Sequence, residues 1–172
     1  MKSIFTFVAL LSMAQVCCGT DRQSQLDDIR EATFRFLFGK NASSLQQNAK
    51  VYFLTIGNLS KTQSQDPDEA FMKRFADHQP RVARRSDAKE SPDGVTDKIT
   101  GERGLIFNVG EIQWISDREV QVSGGYFEAG LSASGNTFYL RKKNGKWEVQ
   151  REKMHWISWK LSNPHEPDAD FG

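Results

Sequence analysis

The sequence predicts an α+β fold in which N-terminal helices pack on a curved antiparallel sheet. Three observations carry this expectation. Apolar residues recur at helical spacing over 25–38 and again after Asp66. From Gly104 onward the texture becomes that of strands joined by short links. Asn144-Gly145 stands between two such segments as a two-residue hairpin signal of the I′ kind. Helices first and an antiparallel sheet after them is the order of an α+β domain.

The elements follow in chain order. In 25–38, Leu26, Ile29, Thr33, Phe36 and Leu37 keep helical spacing, and Phe34 and Phe38 widen the stripe. Asp27, Asp28 and Glu31 sit early, where carboxylates suit the helix dipole, and Gly39 is the stop signal. Residues 51–56, Val-Tyr-Phe-Leu-Thr-Ile, read as a strand ended by Gly57-Asn58. Asp66-Pro67-Asp68-Glu69 is a helix start: Asp66 caps, Pro67 takes the first position and Glu69 completes the capping box. That helix is expected to run to about Asp77 with Ala70, Phe71 and Phe75 on one side, closed by Pro80. Residues 81–86 form a short edge strand rich in arginine. Residues 87–101, with Pro92, Gly94 and Gly101, read as a long loop. Four strands, at 105–115, 119–127, 136–142 and 146–157, make an antiparallel meander. Trp114, Phe138, Leu140, Trp147, Val149, Met154 and Trp156 are expected on its inner face.

The chain has 172 residues, enough for one ordinary domain. With 38% hydrophobic and 26% charged residues it is of soluble globular composition. Lys and Arg number 23 against 22 Asp and Glu, a formal net charge of +1, so no bulk charge favours nucleic acid or an anionic membrane.

Met1-Lys2-Ser3 followed by an apolar run over 4–14 reads as a secretory signal peptide, residues 1–19, cut between Ala14 and Thr20. The run falls short of the roughly 20 apolar residues a bilayer span needs. The chain is therefore expected to be exported, periplasmic or secreted, with one domain over 20–161 and a flexible acidic tail over 162–172. Cys17 and Cys18 are the only cysteines. A lipid anchor at either is the lesser alternative, since Val16 and Cys17 are poor residues to precede a lipidated cysteine. Asn41-Ala42-Ser43 and Asn58-Leu59-Ser60 are glycosylation sequons that matter only in a eukaryotic secretory pathway.

The stretches Val122-Ser123-Gly124-Gly125-Tyr126-Phe127-Glu128, Ser134-Gly135-Asn136-Thr137-Phe138-Tyr139-Leu140 and Asn144-Gly145-Lys146-Trp147-Glu148-Val149, with the order of elements, resemble the nuclear transport factor 2-like superfamily, the cone-shaped cystatin-like fold, and within it exported bacterial members of unassigned activity. The resemblance covers about residues 24–158 and implies a cone-like domain whose sheet face pairs in a homodimer. The superfamily holds isomerases, dehydratases, hydrolases and non-catalytic modules, so the fold does not choose a function.

An isomerase or dehydratase in a cone needs a carboxylate or histidine base and a donor for the developing oxyanion. The nearest set is Tyr126, Glu128 and His155, with Tyr52 and Tyr139 as spare donors. The blander reading makes Tyr126 a core aromatic, Glu128 a hairpin charge and His155 an edge histidine. Histidines 78, 155 and 165 are isolated, and Asp93-Gly94 with Asp97 lacks calcium-loop spacing, so no metal and no cofactor is expected. Gly130-Leu131-Ser132-Ala133-Ser134 misses the nucleophile-elbow pattern by its last glycine. Two basic clusters stand at Lys73–Arg85 and at Arg141–Lys153. The sequence thus favours an exported non-catalytic binding or assembly module, its partner an unknown small molecule or surface partner. The alternative is an isomerase- or dehydratase-type enzyme using a cone cavity, and a weaker third option works through the basic hairpin.

Overall fold

The structure is a computed structural model that describes residues 17–40, 43, 48–59, 61–129 and 132–158; the side chains of 17–21, 61 and 156–158 lie outside the described set. Residues 1–16 of the signal peptide expected over 1–19, the Asn41 sequon position, the tail expected over 162–172 and the Trp156 side chain fall outside it as well.

The first helix, α1 (Cys17–Gly39), starts upstream of its predicted position and ends at the predicted glycine. Strands β1 (Val51–Gly57) and β2 (Ser64–Gln65), a short helix α2 (Glu69–Lys73) and strands β3 (Arg81–Arg84), β4 (Ala88–Ser91) and β5 (Gly94–Asp97) follow. Four long strands follow: β6 (Arg103–Ser116), β7 (Glu119–Ala129), β8 (Ser132–Lys143) and β9 (Lys146–Ser158). The main path of the sheet runs β2-β1-β6-β7-β8-β9. β3 pairs with β1, and the β4–β5 hairpin joins the start of β6.

The predicted fold class is corrected on two counts. Among the described residues the sheet has nine strands and is mixed, because β1 runs parallel to both β3 and β6 while the rest pair antiparallel. Among the described residues only α1 is a helix of more than five residues, so helices packed on an antiparallel sheet do not describe the molecule. α2 stops after five residues because tertiary contacts take over there. The Arg74 guanidinium reaches back to Asp28 at 2.7 Å and Glu31 at 2.9 Å on α1. Phe71 and Phe75 bury against Phe34, and the backbone tightens into bonds from Phe75 to Met72 and from His78 to Phe75. The cap of α2 is Asp68, whose carboxylate accepts from Phe71 N–H, while Asp66 accepts from Ser86 N–H. The loop expected over 87–101 is the β4–β5 hairpin. Ala88 and Val95 bury against Val51, Phe53, Ala83 and Ile106, and Arg85–Glu90 and Arg81–Asp97 pair the charges around it.

The meander forms close to its predicted limits, with Asn144 and Gly145 both at positive φ in the β8–β9 turn. Phe138, Leu140 and Trp147 are buried on the side facing α1, and Trp114 and Val149 pack against the same cluster. Met154 is an exception to the predicted inner face, exposed among the described residues. The main core lies between α1 and the sheet. Phe34, Phe38, Phe71, Phe75, Tyr52 and Phe107 stack in tilted and edge contacts there, and Phe36 meets Phe138. A second, smaller core on the opposite face of β1 and β6 lies under the β4–β5 hairpin. β1 and the first half of β6 are thus buried on both faces.

Candidate functional site

β7 sends alternate side chains toward α1: Val120, Val122, then Tyr126 and Glu128. Tyr126 is 1% exposed and Glu128 4% exposed, so the two candidates from the sequence are brought together and sealed. The Glu128 carboxylate accepts from Ser132 Oγ at 2.9 Å and from Ser43 Oγ at 2.7 Å. Burial pushes the Tyr126 hydroxyl above its ordinary range, the Glu128 charge adds to this, and a hydrogen bond with Ser132 works against it. At neutral pH Tyr126 is a neutral hydroxyl beside a carboxylate held by serine hydroxyls. His155 is not part of this set. It lies exposed on β9, within 2.7 Å of Thr137 Oγ1 on β8.

Ser43 and Ser132 were not foreseen as partners of Glu128, yet β8 carried a signal. Ser132, Ser134 and Asn136 have the same parity as Phe138 and Leu140, so three polar residues occupy positions on the core side. Asn136 Nδ2 donates to Glu152 Oε1, while Ser134 Oγ and Asn136 Oδ1 are buried without a partner among the described residues. Burial raises the Glu152 carboxyl above its ordinary value, with the Lys40 charge opposing. A carboxyl that holds its proton more tightly in the fold costs stability as pH rises through the ordinary carboxylate range. Glu152→Gln, which keeps an acceptor for Asn136, is therefore expected to raise Tm slightly at pH 7 and to lose that gain in acid, as thermal melts at the two pH values will read.

The two basic clusters have different fates. In the first, Arg74, Arg81, Arg84 and Arg85 are consumed by Asp28 and Glu31, Asp97, Glu69 and Glu90. In the second, Arg141 pairs with Glu119 and Lys143 with Glu148, whereas Arg151 lies over the Tyr139 ring at 3.6 Å.

An open recess of about 560 Å³ lies between the first half of α1 and the tips of the β6–β7 and β8–β9 hairpins. Arg22, Trp114, Asp117, Arg118, Lys142 and Asn144 are among its walls. A second recess of about 440 Å³ adjoins it along Asp28, Glu31, Arg35 and Trp147. Neither is lined by Tyr126, Glu128 or His155. Among the described residues, no three His, Cys, Asp or Glu side chains gather in a metal-binding group. Asp97 spends its carboxylate on the Ile99 and Thr100 N–H groups, both at 2.8 Å, and on Arg81. No helix among the described residues is long and apolar enough to cross a membrane.

Comparison with known protein families, with curated proteins and with solved structures returns no match. The site is therefore read from its own geometry.

Proposed function

We propose that the chain is an exported, non-catalytic binding module. One observation supports it above the others: Tyr126 and Glu128 are sealed in a cluster satisfied by Ser43 and Ser132, in a molecule whose space between helix and sheet is filled by aromatic rings. A general base needs a substrate proton within hydrogen-bond reach, and a filled core leaves no room for one. The open recesses by contrast lie on the surface, lined by charged and aromatic side chains. The proposal includes pairing of two copies through the sheet, where Ile115 on β6 is 53% exposed. Sedimentation will give twice the chain mass if this holds, and a single monomeric species removes it.

The isomerase-type alternative has one point in its favour, the neighbouring Tyr126 hydroxyl and Glu128 carboxylate. A thermal-shift panel of small anions, cations and neutral saccharides, with each stabilising compound followed by NMR, separates the two. A module raises Tm with the ligand recovered unchanged, and Glu128→Gln leaves that rise intact. Conversion of the compound to a product, abolished in Glu128→Gln, overturns the proposal.

A further inference from the structure

Most arginines of the described chain are spent in ion pairs. Arg30, Arg35, Arg74, Arg81, Arg84, Arg85 and Arg141 each meet a carboxylate at 3.1 Å or closer. Arg22, Arg118 and Lys142 do not: among the described residues no carboxylate pairs with any of them, and all three line the same recess.

The position of two of these cations is set by the tryptophans beside them. The Arg22 guanidinium lies 4.5 Å from the centre of the Trp114 ring, and Lys142 Nζ lies 5.8 Å from that of Trp147. The two indoles meet edge to face with centroids 5.6 Å apart. A cation resting on an indole keeps its N–H donors available to a ligand while losing much of its rotamer freedom, so less entropy is lost on binding. The third cation, Arg118, sits in the β6–β7 turn, tied to β8 through its carbonyl, which accepts from Lys142 N–H at 2.8 Å. The Trp147 Nε1 donor, beside the adjoining recess, is buried with no partner among the described residues. Among the described residues one carboxylate, Asp117, lines the recess against the three cations.

We infer that this recess binds a small oxyanion carrying two or more negative charges, through the Arg22 and Arg118 guanidinium groups and the Lys142 ammonium. The planar fork of arginine matches carboxylate, sulfate and phosphate oxygens two at a time. This rests on the binding-module reading and names its ligand class. The anion is either a free metabolite-sized acid or a charged group on a larger saccharide, and the two sources share one chemistry.

The test is calorimetric titration of the full exported chain, at low salt, with citrate and separately with a sulfated tetrasaccharide. The expected result is binding of at least one probe, weakened by added salt. Arg118→Gln and Arg22→Gln should each lose about tenfold in affinity, the loss of one charge-assisted contact. Lys153→Gln, on β9 away from the recess, should bind as the parent does. All three positions are exposed, so thermal melts should match the parent. Citrate binding identifies a free acid, and tetrasaccharide binding alone identifies a charged glycan group. Failure of both probes, or binding indifferent to Arg22 and Arg118, overturns the inference. A stabilising cation or neutral saccharide in the thermal panel would then leave the module reading standing, whereas turnover of any compound ends that reading and not this one.

Discussion

Gly125→Ala should destabilise the protein by about 3 kcal/mol or more, enough to threaten folding of a domain of this size. Gly125 lies mid-strand on β7, paired with Asn108 of β6 on one side and Gly135 of β8 on the other. A Cβ there would overlap the carbonyl oxygen of Ser134, and that oxygen belongs to backbone, so no side chain can move aside. To make room β8 must shift, which loosens its pairing with β7 and the burial of Phe138. Urea unfolding is the measurement: the midpoint should fall sharply, or the variant should fail to give a cooperative transition. Gly39→Ala is the control. A Cβ at Gly39 meets nothing within 4 Å, so its midpoint should stay close to the parent's.

Asp97→Ala should cost about 3 kcal/mol by a different route. The buried Asp97 carboxylate closes the β5–β6 turn, taking N–H groups from Ile99 and Thr100 and the guanidinium of Arg81 at 2.7 Å. The backbone N–H of Thr100 is the largest influence holding its pKa down, to about 2 from an ordinary 3.8, with burial opposing and Ile99 and Arg81 assisting. A depressed carboxyl contributes stability that is fully present above its unfolded value and is lost as pH falls through the folded value. The parent should therefore lose stability between about pH 4 and pH 2 through this group, while Asp97→Asn, already lacking the charge, should show a flatter profile over that window. Urea midpoints along an acid series will read the difference. Parallel slopes for parent and variant would show that other carboxylates set the acid limit.

The meander was legible because its signals are local. Asn144-Gly145 can form one kind of turn, and the alternation around Phe138, Leu140, Trp147 and Val149 assigns one face to the core. The mixed sheet was written in the sequence too, in a pattern the helix-first reading did not use. Val51-Tyr-Phe-Leu-Thr and Leu105-Ile-Phe-Asn-Val are unbroken buried runs, and strands covered on both faces in a parallel pair show that texture in place of alternation. The strong capping residues at Asp66–Glu69 promised a long helix, since nothing local announces that Arg74 will be drawn to Asp28 and Glu31 on another element. The hairpin at 88–97 was hidden for a similar reason: its apolar content is sparse, and its charges are paired only in three dimensions.

The site divides the same way. Tyr126 and Glu128 are two residues apart on one strand, so their shared face could be read directly. Ser43, which closes the cluster, comes from the far side of the sequence and carries no motif. Arg22 and Arg118 were absent from both basic clusters because each is single in its neighbourhood. Only the meeting of α1 with the hairpin tips places them together.

The packing of α1 on β6, β7 and β9 bears on the order in which the molecule can assemble. The helix precedes all three strands in the chain, so during synthesis the stripe of Phe34, Leu37 and Phe38 can meet Tyr52, Phe71 and Phe75 but must wait for β6, β7 and β9 to complete its cover. Contacts this distant in sequence slow folding, and α1 has little to hold it until they close. Amide exchange in α1 should accordingly rise and fall with that of β9, as one cooperative unit joining the two ends of the described chain.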